Sequence, residues 1–185
     1  WRHAAMQPDL SQWRGPSPQP SPGGRGGLPG GPMPAISKVF ETISLAKVAG
    51  SAEEAQEMGI LNAQSRITMN RRRVLADAKA HCAALAKDYV APQKTTLRLP
   101  GESGFVALKL AIDNFRSNGK ATPHDVVVSE ALARVLTGGD TDMTREVSEE
   151  DILKLEHDMF MELAKTEGTR LRIKHMLETS KPLRN

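Results

Sequence analysis

From residue 35 onward, apolar residues recur at helical spacing, and each run is bracketed by a helix start or stop signal. This pattern limits the chain to an all-α or nearly all-α fold. Ile36, Val39, Phe40, Ile43 and Ala46 follow the i, i+3, i+4, i+7 rule and share one helix face, with Gly50 as the expected stop. Ser51-Ala52-Glu53-Glu54 reads as a capping box opening a short helix that ends at Gly59. Asn70 is the expected cap of a helix over about 71–88, with Val74, Leu75, Ala78, Cys82, Leu85 and Ala86 inward. The link 90–101 holds Pro92, Pro100 and Gly101 and reads as extended or turning. A further helix is predicted over 103–118, with Phe105, Leu108, Ile112 and Phe115 inward and Gly119 as its stop.

Thr122-Pro123 is a cap followed by a first-turn proline, and opens a helix over 123–137 closed by Gly138-Gly139. Ser148-Glu149-Glu150-Asp151 places carboxylates at the positive end of the next helix dipole. Ile152, Leu155, Met159 and Leu163 form its stripe, and Gly168 is expected to break it. A last helix over 169–179 is stopped by Lys181-Pro182. Six or seven helices result. Aromatics supply only 4% of residues, so the core must be built from Leu, Ile, Val, Ala and Met.

Residues 1–34 differ in kind. They hold eight of the twelve prolines and seven of the fifteen glycines, with few apolar side chains. Such a stretch cannot bury enough surface to offset the entropy of ordering it. The expected organisation is therefore a disordered Pro/Gly-rich segment over 1–34 and a helical unit over 35–185. The segment lacks a charge-flanked PxxP site, which favours a solvated tail over a proline-rich ligand.

Charge and cysteine content exclude several classes. Of the net charge of +3, +2 arises before position 35 from Arg2, Arg14 and Arg25 against Asp9. The helical part is nearly neutral, without the basic face of a nucleic-acid binder. Cys82 is the single cysteine, so neither a disulfide framework nor a multi-cysteine zinc site is open. It fits a reducing compartment, and the expected location is the cytoplasm. No apolar run approaches the ~18 residues needed to span a bilayer, and the first residues do not read as a signal peptide. The chain does not begin with Met, which suggests a fragment.

Few residues of the chain stand in a pattern that carries chemistry. There is no GxGxxG, no phosphate loop and no Gly-x-Ser-x-Gly. His3, His81, His124, His157 and His175 form no i, i+3 or i, i+4 pair, so no metal site is expected. His81 and Cys82 are adjacent, but neighbouring helix residues point about 100° apart, and Cys82 reads as a small core residue. Glu156-His157-Asp158 reads as a solvated helix face for the same reason. Arg71-Arg72-Arg73 is the basic run. It could grip phosphates of nucleic acid or of a nucleotide-bearing cofactor, but no stacking aromatic lies near and Asp77 follows, which favours an exposed first turn.

Residues 40–61, with Ser51, Ala52, Glu54, Ala55, Gly59 and Ile60-Leu61 in place, resemble a crotonase-family segment. Arg66-Ile67-Thr68-Met69-Asn70-Arg71, Pro100-Gly101-Glu102-Ser103-Gly104, His124-Asp125-Val126-Val127-Val128, Leu136-Thr137-Gly138-Gly139-Asp140 and the run from Met176 to Asn185 follow in order. Together they resemble the C-terminal end of a bacterial multifunctional fatty-acid β-oxidation protein. In that family 3-hydroxyacyl-CoA dehydrogenase domains precede an enoyl-CoA hydratase/isomerase domain. The resemblance covers roughly 36–185 and implies the helical C-terminal part of a crotonase domain. It implies acyl-CoA substrates, with a coenzyme A thioester and NAD as the cofactors of the full-length family and none held by this chain. The NAD fold, the oxyanion-hole amides and the catalytic carboxylates would all lie upstream, so no catalytic residue carries over and the piece is expected to be inactive alone. Lys181 and Arg184 match the family's basic tail and are the candidates for coenzyme A phosphates, with a solvated terminus as the alternative. A fragment predicts an exposed apolar helical face and self-association through it. The contrasting expectation is a free-standing, non-catalytic helical interaction module, soluble and monomeric.

Overall fold

The computed structural model describes residues 31–185. Seven helices and one two-stranded pairing appear among them, so the protein is mainly α. They are α1 (Met33–Ser44), α2 (Ala52–Glu57), α3 (Val74–Leu85), β1 (Thr96–Leu97), α4 (Glu102–Ser117), α5 (Pro123–Thr137), β2 (Val147–Ser148), α6 (Glu149–Lys165) and α7 (Glu167–Thr179). The disorder expected for 1–34 falls almost wholly outside the described residues. α1 starts at Met33, ahead of the expected boundary, with Pro34 in the first turn, where a missing N–H disrupts nothing.

α5 is the centre of the fold. It packs against α4, α6 and α1, and α7 packs on α6. Ile36 and Phe40 of α1, Leu108 and Ile112 of α4, and Val126 and Ala133 of α5 make one buried cluster. Each set lies on one stripe of its helix, which is why the 3.6-residue period read correctly here. α5 is also the best-delimited helix. The Thr122 hydroxyl accepts from the Asp125 amide, and the Asp125 carboxylate accepts from the Thr122 amide. Gly138 closes it in a left-handed conformation, φ 88°. Thr137 is fully buried, and its hydroxyl donates to the Ala133 carbonyl at 2.9 Å.

Gly101 joins α4 to this core. Its φ is +58°, its amide donates to the Thr137 carbonyl at 2.8 Å, and a Cβ there would lie 1.6 Å from the Thr141 carbonyl oxygen. Only glycine permits that approach. β1 and β2 pair antiparallel, Thr96 with Ser148 and Leu97 with Val147. Lys94 reaches Glu150 at 2.6 Å, so the link 90–101 is tied to the start of α6.

Several expected boundaries differ. α1 ends at Ser44, not near Gly50. Ala46 takes the left-handed conformation, φ 49°, and the Lys47 amide donates back to the Thr42 carbonyl at 2.9 Å. This six-to-one bond ends the helix early. In the α2 cap, Ser51 accepts from the Glu54 amide, but the Glu54 carboxylate accepts from Gly50 and not from Ser51. Asn70 does not cap α3. Its side chain accepts from the Arg72 amide and shapes a turn, and the helix begins at Val74. Gly168 does not break α6. Thr166 ends α6 and caps α7 at once, with its hydroxyl accepting from the Thr169 amide. Gly168 lies inside the first turn of α7.

The largest difference concerns α3. Its expected inward face is not buried, and Val74, Leu75 and Cys82 are exposed. Among the described residues α3 has extensive contact only with the short 3₁₀ turn Ala86–Asp88 that follows it. Cys82 is therefore a surface thiol and not a core residue. Phe115, expected inward, is also exposed, with the Lys120 ammonium 5.9 Å from its ring centroid.

Candidate functional site

Polar side chains converge most densely where the N-terminus of α5 meets α7 and the tail 180–185. The Arg172 guanidinium lies at the centre. Its Nη2 donates to the Asp125 carboxylate at 2.7 Å and to the Thr122 hydroxyl at 3.3 Å, and its Nε donates to Asn185 Oδ1 at 2.7 Å. The Asn185 side-chain amide donates to the Gly168 carbonyl at 3.3 Å. Arg184 donates to the Lys120 carbonyl at 3.0 Å and lies 3.8 Å from Asp125 Oδ2. Thr122 and Asp125 are placed by the α5 capping box, and Arg172 by one face of α7. The tail folds back because Ser180 turns left-handed at φ 55°.

Asp125 is partly buried here, and burial pushes its carboxyl up. Hydrogen bonds from the Thr122 amide and hydroxyl and from Arg172, with the Arg172 charge, outweigh burial and hold it below the usual carboxylate range. His124 packs beside it. Its Nε2 lies 2.9 Å from the Thr169 hydroxyl, and its ring lies flat on Gly168. Burial, then the Arg172 charge, press the imidazole below its ordinary pKa, and Asp125 opposes them.

This cluster is an anchor in chemical terms. The strongest donor, Arg172, and the carboxylate facing it already satisfy each other. Of the two predicted coenzyme A contacts, Arg184 belongs to the anchor and is held by Lys120 and Asp125. Lys181 is exposed, and among the described residues its ammonium joins no ion pair with the cluster.

A second concavity, an open groove of about 340 Å³, runs between α4, α5 and α6. Phe105, Val127, Ala131, Met159 and Leu163 line it, with Arg134 at 4.6 Å from the centroid of the Phe105 ring. Lys109 pairs with Glu130 at its edge. The remaining sequence candidates are scattered. Arg71, Arg72 and Arg73 occupy the turn before α3, and Arg73 pairs with Asp77 at 3.2 Å. His157 sits on the exposed face of α6, where Asp158 is engaged by Lys154 at 2.8 Å. The His81 Nδ1 is buried without a partner, and no hydrogen bond joins the ring to Cys82. Among the described residues no group of three His, Cys, Asp or Glu is placed to hold a metal, and no helix is long and apolar enough to cross a membrane.

Sequence reasoning did not foresee Arg172 or Asn185. The pairs that build the anchor are separated by 47 residues (Arg172 to Asp125) and 13 (Arg172 to Asn185), beyond the reach of a local pattern. Asp125 at the third position after Thr122 was the one available signal.

What fold and site define is a helical unit, centred on α5, whose tail is locked by an ionic anchor. No family model matches the chain, and no solved structure matches it. Among curated proteins it is similar to one from Bacillus subtilis (strain 168) described as a probable 3-hydroxyacyl-CoA dehydrogenase. The two are 39% identical over 155 residues, which is 83% of this chain and 20% of that protein. The chain thus spans about a fifth of the length of the relative it matches.

Proposed function

We propose that this chain is the helical C-terminal portion of a fatty-acid β-oxidation enzyme that joins 3-hydroxyacyl-CoA dehydrogenase to enoyl-CoA hydratase of the crotonase type. It contributes structure to an enzyme acting on acyl-CoA thioesters and is inactive alone. The observation that carries this reading is the length relation: most of this chain aligns with a small part of a much longer dehydrogenase. The chemistry agrees. Hydration of an enoyl thioester needs amides aimed at the thioester oxygen and a base that holds water. The anchor offers a committed Asp125–Arg172 pair, and the two carboxylates that line the groove, Glu130 and Glu162, are paired with Lys109 and Lys165.

The unpartnered surface supports the same reading. Val48, Met69, Leu75, Tyr89 and Val90 are all exposed on the stretch from the end of α1 to the link after α3. Where exposed apolar side chains such as these adjoin, they are covered when the rest of a domain is present and otherwise favour self-association. Lys181 remains the proposed contact for coenzyme A phosphates, with Arg184 a poorer one because the anchor uses it. The site of action is the cytoplasm.

The test is turnover of crotonyl-CoA by the purified chain, and of 3-hydroxybutyryl-CoA with NAD. Neither is expected to react. Robust turnover of either overturns the proposed inactivity.

A second reading is a free-standing helical interaction module. It is favoured by the core of α1, α4 and α5, on which α6 packs in turn. It predicts a monomer with a cooperative melt, and size-exclusion chromatography with dye binding separates the two.

A further inference from the structure

We propose that α3 of one copy packs antiparallel on α6 of a second copy of this chain, through two complementary stripes of apolar and charged side chains. The inference rests on these two helix faces, so turnover of crotonyl-CoA, which tests the enzyme reading, bears on it in neither direction.

α6 carries six carboxylates and two lysines. Four of the six are engaged within the chain. Glu150 pairs with Lys94, Asp158 with Lys154 and Glu162 with Lys165, while Asp151 closes the capping box with Ser148. The two that join no ion pair among the described residues are Glu149 and Glu156. Both are exposed, and both fall on one stripe of α6 with Leu153 and Phe160, which are 55% and 54% exposed. Steps of four, three and four residues along this stripe are those of a helix–helix seam.

α3 presents the counterpart. Leu75, Lys79 and Cys82, with Ala86 at the C-cap, repeat at the same steps, and all are exposed. Lys79 joins no ion pair among the described residues. Asp77, the carboxylate of α3, lies on the opposite side of the helix, held by Arg73 and Thr68. Run antiparallel, the stripes set Leu75 against Phe160, Lys79 against Glu156 and Cys82 against Leu153, with Glu149 at the Ala86 end beside Lys87. Run parallel, they set Leu75 against Glu149 and Lys79 against Leu153. Charge and apolarity therefore match in one direction only.

The occupant is a second copy because the chain already carries the matching face and its own α3 does not reach it. Among the described residues α3 has extensive contact only with the turn Ala86–Asp88. The wider charge agrees: residues 71–88 hold five cations and two carboxylates, opposite in sign to α6. Two copies exchange the contact reciprocally, which closes a pair. The seam is small, so its dissociation constant should be about 10–100 µM, and α3 stands free at about 1 µM.

The experiment is sedimentation velocity on the full chain from about 1 µM to about 200 µM at physiological salt. Wild type should pass from monomer to dimer over this range. Lys79→Glu and Glu156→Lys should each weaken association by about tenfold or more, because each sets like charges face to face. Mixed in equal amounts, the two variants should recover the wild-type constant to within about threefold, since both contacts of the mixed pair again oppose unlike charges. A wild type that stays monomeric throughout overturns the proposal. So does association that either reversal leaves untouched, or that mixing does not restore.

Discussion

His124 and Gly168 are in flat contact: the imidazole of α5 occupies the space where a side chain at position 168 of α7 would begin, 2.6 Å from Nδ1. The glycine is therefore present for packing, although it sits inside a helix where it costs about 1 kcal/mol relative to Ala. Gly168→Ala should destabilise the chain by about 1–3 kcal/mol despite the better helix propensity, because the methyl must displace a ring already held by Thr169. Urea denaturation of the two proteins measures the sign directly, and a stabilised variant would show that the ring yields freely.

Asp125 and Arg172 retain only 27% and 23% side-chain exposure, enough burial for their pair to matter. Asp125→Asn should cost about 1–3 kcal/mol, since it leaves the Arg172 guanidinium without its counter-charge. The effect has a pH signature. A carboxyl lowered in the folded state adds stability above its unfolded pKa, and that stability is lost as pH falls through the folded value. Wild type should therefore lose stability as pH drops below about 4, and Asp125→Asn should lose less over the same window. Denaturant midpoints at a series of acidic pH values check the difference.

Ala46 holds the left-handed conformation that ends α1. A side chain there costs about 1–2 kcal/mol, partly offset in glycine by greater unfolded-state freedom. Ala46→Gly should raise stability by about 0.5–1 kcal/mol, seen as a higher thermal midpoint. No change would mean that this turn is not formed in solution.

Leu108 and Leu75 should respond very unequally to the same truncation. Leu108 is 4% exposed and belongs to the buried cluster, while Leu75 is 73% exposed on α3. Leu108→Ala should cost about 2–5 kcal/mol, whereas Leu75→Ala should stay within about 0.5 kcal/mol. Equal costs would place α3 in the core.

The contrast between these two leucines also shows what a sequence can reveal. Both lie on apolar stripes of helical period. For α4 and α5 the stripe led to the core, because the short link that ends in the Thr122 cap folds one helix back onto the other. For α3 the same period led to an expected buried face that meets no described partner. Periodicity tells which side of a helix is apolar, and it does not tell whether anything covers that side. Caps were legible where the residue and its target are three apart, as at Ser51, Thr122 and Ser148. The end at Ala46, which the backbone makes by itself, was misread, and so was the Thr166 cap, whose target Thr169 is also three positions on but which lies in a run where Gly168 looked like the break. The β1–β2 pairing and the Arg172–Asp125 bond join residues about fifty positions apart, and no local signal carries them.

The uncovered face of α3 is the centre of the account, and hydrophobic-dye binding by the full chain at neutral pH tests it most directly. Strong dye fluorescence is expected, falling sharply in Val74→Glu/Leu75→Glu while the thermal midpoint stays in place. A chain that binds no dye, or whose dye signal is untouched by that pair of substitutions, would contradict it.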